Sequence, residues 1–194
     1  LLGRPTWAEV DLDNIAYNIE QFKKLLKPGT RLMAMVKADG YGHGAVEVAR
    51  LAVKEAGCQW LGVAFPEEGV ELRCRGLDVP ILVFGPISIS SVPLHLRYNL
   101  TPSLYCWELA QAFSKEAVQK NKVLNVHIKI DTGMGRLGFS HFPNPVRAIE
   151  MIAALPGLRI EGLYTHFSSA DEPDSNFTLK QWERFLDVLD SCQK

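Results

Sequence analysis

The sequence lacks an excess of charge of either sign, and it lacks long apolar runs. Among its 194 residues, 21 lysines and arginines stand against 22 aspartates and glutamates, which gives a net charge of −1. A chain so balanced offers no basic patch for a nucleic acid or an anionic membrane surface. Its apolar runs are also far shorter than the roughly 20 residues that cross a bilayer. We therefore expect neither nucleic acids nor membranes among its partners.

Cysteines are few, and none is spaced as a pair. The four cysteines are Cys58, Cys74, Cys106 and Cys192, and no Cys-x-x-Cys motif occurs. This scatter argues against a zinc site or a disulfide framework, so we expect no metal. Reduced thiols, together with a beginning that has no secretory pattern, predict a cytoplasmic protein.

Strand patterns alternate with helical patterns along the chain. We predict strands at 6–12, 32–36, 60–65, 81–84, 100–104, 126–130 and 160–166. Helices are predicted after a cap at Asp13, near Ala45, Pro66 and Trp107, and at the end of the chain, where Thr178 and Gln181 fit a capping box. Such alternation is typical of a parallel α/β fold, either doubly wound or a (β/α)8 barrel. A barrel would be incomplete, because eight units need about 250 residues.

One lysine lies where an apolar strand gives way to a glycine-rich loop. The run 32–36 is apolar on both faces, which is typical of a fully buried parallel strand, and Lys37 follows it. Three glycines at alternate positions then exclude a regular strand or helix over 40–44. Lys37 is either an ordinary lysine, solvated or paired with Asp39, or a Schiff-base lysine, which requires a desolvated amine.

Polar side chains also mark the ends of two later strands. Alternation places Lys129 and Asp131 on one face of the strand at 126–130, and the following loop carries Arg136. His166 ends the last predicted strand. Each alone is ordinary: an ion pair, a surface arginine, a structural histidine. Because the carboxyl ends of barrel strands carry the chemistry in barrel enzymes, their common position predicts a functional site.

Four segments together resemble alanine racemases, which are pyridoxal-phosphate (PLP) enzymes with a barrel domain followed by a β-rich domain. These segments are 7–12, 36–44, 129–138 and 165–167, in family order and spacing. The resemblance implies a (β/α)8 TIM-type barrel with about six of its eight units within 13–194. It also implies that 1–12 is a strand that packs with a β domain outside the chain.

The resemblance assigns the cofactor and substrate contacts by position. Lys37 would hold PLP as a Schiff base and then act as one of two bases at Cα. Tyr41 would bind the cofactor phosphate, and Arg136 would contact the phenolic oxygen and the substrate carboxylate. His166 would lie under the pyridine ring and support an arginine outside the chain. Lys129, which is carbamylated in some members, would hold Arg136 in place, with Asp131 beside it.

The implied reaction is the PLP-dependent racemisation of L- and D-alanine, which supplies D-alanine for the bacterial cell wall. Alternatives are a serine racemase or another barrel-type PLP enzyme, a non-catalytic PLP carrier, and a plain α/β domain without a cofactor. In the resembled family the opposing base is a tyrosine of the partner in a homodimer, and it lies outside this chain. We therefore expect a chain cut from a longer protein, and we expect it to be inactive alone.

Overall fold

The computed structural model describes residues 6–141, 145–173 and 176–192. Its strands are β1 (Met33–Met35), β2 (Trp60–Val63), β3 (Ile81–Val83), β4 (Thr101–Leu104), β5 (Leu124–Asp131), β6 (Phe139–Ser140) and β7 (Leu158–Tyr164). Its helices are α1 (Leu12–Leu25), α2 (Ala45–Lys54), α3 (Pro66–Cys74), α4 (Val92–Arg97), α5 (Trp107–Gln119), α6 (Val146–Ala153) and α7 (Asn176–Cys192). Strands therefore alternate with helices as predicted, and α2, α3 and α5 begin at the predicted residues.

The chain divides into two compact units, one up to Ile81 and one from Leu82. In the first unit, β1 and β2 pair in parallel, with Met33 opposite Trp60. All four residues of β2 are buried, and so are the small residues Ala49 and Ala52 of α2, both at 0% exposure. Because β1 and β2 run parallel, their carboxyl ends lie at the same edge of the pair.

In the second unit, β5 is the central strand. It pairs in parallel with β4, β6 and β7, and β3 pairs in parallel with β4. Its branched residues Val126, Ile128 and Ile130 are fully buried, as the alternation predicted, and Phe113 of α5 belongs to the same core. β7 lies beside β5 in a register that sets Lys129 opposite Tyr164.

Two predictions for the start of the chain are wrong. Residues 6–11 form no strand, because a strand needs a ladder partner and none pairs with them in the described part of the chain. Helix α1 begins at Leu12, and its cap is Asp11 rather than Asp13. Asp11 has the extended backbone of a cap residue, and its Oδ1 accepts from the Asn14 N–H at 3.1 Å.

The burial of the strand before Lys37 was also predicted wrongly. All three residues of β1 are only half-buried. Among the described residues β1 has one paired neighbour, β2, so it is an edge strand there. An apolar pattern shows that both faces could be covered, but not that they are. No helix in the described ranges is long and apolar enough to cross a membrane.

Candidate active site

The segment after β1 is a helical turn at Lys37–Gly42, and its residues Ala38–Tyr41 are left-handed. Ala38, Asp39, Gly40 and Tyr41 all have φ between 51° and 61°, with ψ between 35° and 51°. Glycine adopts this conformation freely, whereas it costs other L-residues about 1–2 kcal/mol each. Three of these four residues are not glycine, so the turn persists only because its surroundings fix it.

Two carboxylates tie down this turn. At its far end, Asp39 Oδ1 accepts from the Ala45 N–H at 2.8 Å, and the Asp39 carbonyl accepts from the Gly44 N–H at 2.9 Å. At its near end, Glu68 Oε1 accepts from the Ala38 N–H at 2.7 Å. The turn is therefore held on both sides of the residues with positive φ.

Lys37 and Tyr41 come together within the turn. The Lys37 Nζ lies 5.6 Å from the centre of the Tyr41 ring, within cation–π range. Tyr41 is 59% exposed, and Lys37 is half-buried. Lys37 is thus less buried than the strand pattern predicted. Lys37 and Asp39, both in the described part of the chain, form no ion pair, since the Asp39 carboxylate binds the backbone at Ala45 instead.

A second group of polar side chains surrounds Tyr164 in the second unit. Lys129 is buried at 3% exposure, and its Nζ lies 5.9 Å from the centre of the Tyr164 ring. The Tyr164 hydroxyl shares a 2.5 Å hydrogen bond with Ser103 Oγ of β4. Burial raises the pKa of Tyr164 to about 12, although the Ser103 hydrogen bond and the positive charge of Arg136 both lower it. Tyr164 is therefore an uncharged phenol at any ordinary pH.

Asp131 organises the loop that carries Arg136. Its Oδ1 accepts from the backbone N–H groups of Gly133 at 2.9 Å and Gly135 at 3.1 Å. Burial raises the pKa of the Asp131 carboxyl, but hydrogen bonds from the surrounding backbone N–H groups lower it by more. The net pKa therefore lies below the ordinary value. The ionised carboxylate keeps the loop closed, and Arg136 leaves it as an exposed guanidinium.

Helix α7 holds the ends of β5 and β7 through Gln181. This side chain is fully buried, and its Nε2 donates to the His166 carbonyl at 3.0 Å and to Thr132 Oγ1 at 3.3 Å. Its Oε1 accepts from the Ser168 N–H at 2.9 Å. The predicted capping box with Thr178 is wrong, because α7 begins at Asn176 and Gln181 turns away from the helix end.

The predicted site residues thus fall into two groups, one in each unit. The first is Lys37 with Tyr41, and the second is Lys129, Asp131 and Arg136. His166 lies two residues beyond β7, is exposed, and is anchored through its carbonyl. The predicted strand at 160–166 therefore ends too late, since Thr165 and His166 leave the ladder.

Sequence reasoning missed Glu68, Ser103 and Gln181 as supporting residues. Glu68 carries one signal, as a glutamate three residues after Phe65 at the start of a helix. Ser103 and Gln181 make contacts 61 and up to 49 residues away, which no local pattern reveals. In the ranges that the structure describes, no group of three His, Cys, Asp or Glu residues could hold a metal ion.

Comparison with known proteins places this geometry in a family. The model for "Alanine racemase, N-terminal domain" matches residues 10–194. An alanine racemase of Halothermothrix orenii is 47% identical over 193 residues, which is 100% of this chain and 50% of that protein. The chain spans about half the length of the curated relatives it matches.

Solved structures agree with the sequence relatives. An alanine racemase of Clostridium difficile 630 has a TM-score of 0.94 at 37% identity, over 100% of this chain and 50% of that one. The same protein in complex with cycloserine has a TM-score of 0.95 at 37% identity, over 100% of this chain and 53% of that one.

Proposed function

Because this chain belongs to the alanine racemase family, as part of its N-terminal domain, we propose that the protein which carries it racemises alanine with PLP as its cofactor. The observation that carries the proposal is the position of Lys37. This half-buried lysine follows a parallel strand, in a backbone turn that two carboxylates hold in an unfavourable conformation. Strained backbone of this kind concentrates at functional sites.

The residues fit the chemical groups of PLP. Its aldehyde needs a primary amine, which Lys37 supplies, and its phosphate needs a donor, for which the exposed Tyr41 hydroxyl is suited. Arg136 offers an exposed guanidinium for anionic oxygens, and its planar fork can bind a substrate carboxylate through two hydrogen bonds. When bound, PLP supplies the electron sink that makes the Cα–H of an amino acid acidic.

The chain's own residues then position the substrate and move protons. Lys37 Nζ acts as the base on one face of Cα, and it returns the proton when the reaction runs the other way. Arg136 orients the substrate carboxylate from a loop that Asp131 closes. Lys129 and Tyr164 have a supporting role: Lys129 is buried near the Tyr164 ring, and the uncharged phenol adds no negative charge to compete for Arg136. From the family resemblance, His166 would contact the pyridine ring of PLP.

Racemisation also needs a base on the opposite face of Cα. From the family we propose that this base is a tyrosine of a partner subunit, outside these 194 residues, and that the protein acts as a homodimer in the cytoplasm. Its D-alanine would serve the bacterial cell wall. The proposed substrate is alanine rather than serine, since the curated relatives carry the name alanine racemase.

A racemisation assay in D₂O tests the proposal. The protein, expressed at its full natural length with PLP, should convert L-alanine to D-alanine and exchange the Cα hydrogen for deuterium. Lys37→Ala should lose at least about 10²-fold in rate, because it removes the base. Lys54→Ala, an exposed lysine at the end of α2, should keep the full rate. Equal rates in the two variants, or turnover of serine alone, would overturn it.

A further inference from the structure

The Glu68 carboxylate binds more of the backbone than its own helix requires. Oε2 accepts from the N–H groups of Ala64 at 2.7 Å and Phe65 at 3.0 Å, which closes the first turn of α3. Oε1 reaches a different segment, the N–H of Ala38 at 2.7 Å, 30 residues away. One oxygen thus caps the helix, and the other binds the peptide group that joins Lys37 to Ala38.

The bond to Ala38 falls at the first residue with unfavourable backbone angles. Ala38 is the first residue of the left-handed turn, and its φ of 51° is one that alanine rarely adopts. If this N–H were released, Ala38 could relax toward negative φ and redirect the Lys37 side chain. Asp39 does not bind this N–H, because its carboxylate binds the Ala45 N–H at the far end of the turn.

We propose that Glu68 is a positioning residue for Lys37: it fixes the Lys37–Ala38 peptide and so sets the direction from which the amine meets the PLP aldehyde. In that reaction the amine and the aldehyde join as an imine and release one water. The inference rests on the proposed function, because it gives Lys37 that role. Glu68 acts through the backbone and does not itself touch the reacting atoms.

The first measurement needs no cofactor. Amide hydrogen exchange at Ala38 should be at least about tenfold faster in Glu68→Gln than in wild type, since a bond to a charged acceptor is lost. Glu67→Gln is the matched control, because Glu67 neighbours Glu68 in the same first turn but is exposed. Glu68→Asp serves as a second variant. Its shorter side chain can still cap α3 but cannot reach Ala38, so it should show faster exchange with the helix intact.

The second measurement follows Lys37 itself. After incubation with PLP, the wild-type protein at its full natural length is reduced with borohydride, and label at Lys37 is counted by peptide mapping. We expect Glu68→Gln and Glu68→Asp to form this label at least about tenfold more slowly, with a shifted pH dependence of labelling. Glu67→Gln should match wild type in both rate and pH dependence.

The outcomes separate the two proposals. If wild type gains no label at Lys37, the proposed function fails, while exchange at Ala38 still reports on the Glu68 bond. If the label forms equally fast in Glu68→Gln and Glu67→Gln, the positioning role is overturned, even if Ala38 exchanges faster. Unchanged exchange at Ala38 in both Glu68 variants overturns it as well.

Discussion

Burial and a nearby charge have opposite effects on the pKa of the Tyr164 hydroxyl. The phenol is largely removed from water, and burial raises its pKa to about 12 from the ordinary value of 10. The folded protein therefore keeps its proton where the unfolded chain would lose it. The contribution of this raised pKa to the free energy of unfolding is fully present below about pH 10, and it is lost as the pH rises toward 12.

Tyr164→Phe should remove this part of the alkaline instability. Between about pH 9 and 11.5, the free energy of unfolding should fall less in Tyr164→Phe than in wild type, because phenylalanine has no proton to lose. Urea denaturation at the two pH values measures the difference. Tyr17→Phe, at a tyrosine that is 62% exposed, should behave as wild type. An equal alkaline loss in Tyr164→Phe and wild type would contradict the pKa assigned to Tyr164.

Glycine is required at 138 in the Arg136 loop. Gly138 has φ +136°, and a Cβ there would lie 2.6 Å from the Asp131 backbone nitrogen. Gly138→Ala should therefore lower the free energy of unfolding by about 3 kcal/mol or more, through backbone strain and overlap together. Gly135→Ala, with φ +69° and open space around it, should cost only about 1–2 kcal/mol. Thermal denaturation that ranks the two variants equally would show that the loop can move aside.

At the scale of elements, α7 secures the ends of two strands through one amide. Gln181 binds the loop after β5 at Thr132 and the segment after β7 at His166 and Ser168. Arg184, one turn further along, donates to the Thr132 carbonyl at 2.8 Å. The helix thus does more than cover the strands, because it fixes the segments that carry Arg136 and His166.

Gln181→Ala should destabilise the protein by about 1–3 kcal/mol, since it removes a fully buried amide together with its hydrogen bonds to Thr132, His166 and Ser168. Glu183→Ala truncates an exposed side chain of similar length on the same helix, and it should change stability by less than about 0.5 kcal/mol. Chemical denaturation compares the two. A Gln181→Ala variant as stable as Glu183→Ala would mean that Gln181 does not anchor these segments.

Local sequence patterns predicted where helices begin better than they predicted how deeply an element is buried. The starts of α2, α3 and α5 carry signals in the neighbouring residues, such as Pro66 with two acidic residues after it, and these predictions are confirmed. Helices α4 and α6 escaped prediction, since α4 spans only six residues and α6 only eight. The half-burial of β1 depends on distant neighbours, which a local pattern cannot show.

The sequence allowed the candidate site residues to be predicted, but not the backbone conformation and hydrogen bonds that hold them. Lys37, Lys129 and Arg136 could be singled out because glycine-rich loops and strand alternation are visible in the sequence. The left-handed turn at Ala38–Tyr41 could not, since three of its residues favour other conformations and are held there by Glu68 and Asp39. The roles of the individual side chains stay predictions.

At the scale of the whole molecule, the predicted family and fold class are confirmed. The chain is a member of the alanine racemase family, with the α/β barrel fold of its N-terminal domain. Half of each relative's length lies beyond the part matched here. The assignment of residues 1–12 to a separate β domain stays a prediction.

The central claim is that the Lys37 amine binds PLP, and peptide mapping after borohydride reduction tests it most directly. The protein at its full natural length is incubated with PLP, reduced and digested, and the modified lysine is identified by mass. We predict label on Lys37, retention of that label in Lys54→Ala, and its loss in Lys37→Ala. Label confined to other lysines, or spread equally over exposed lysines with none favoured at Lys37, would contradict the account.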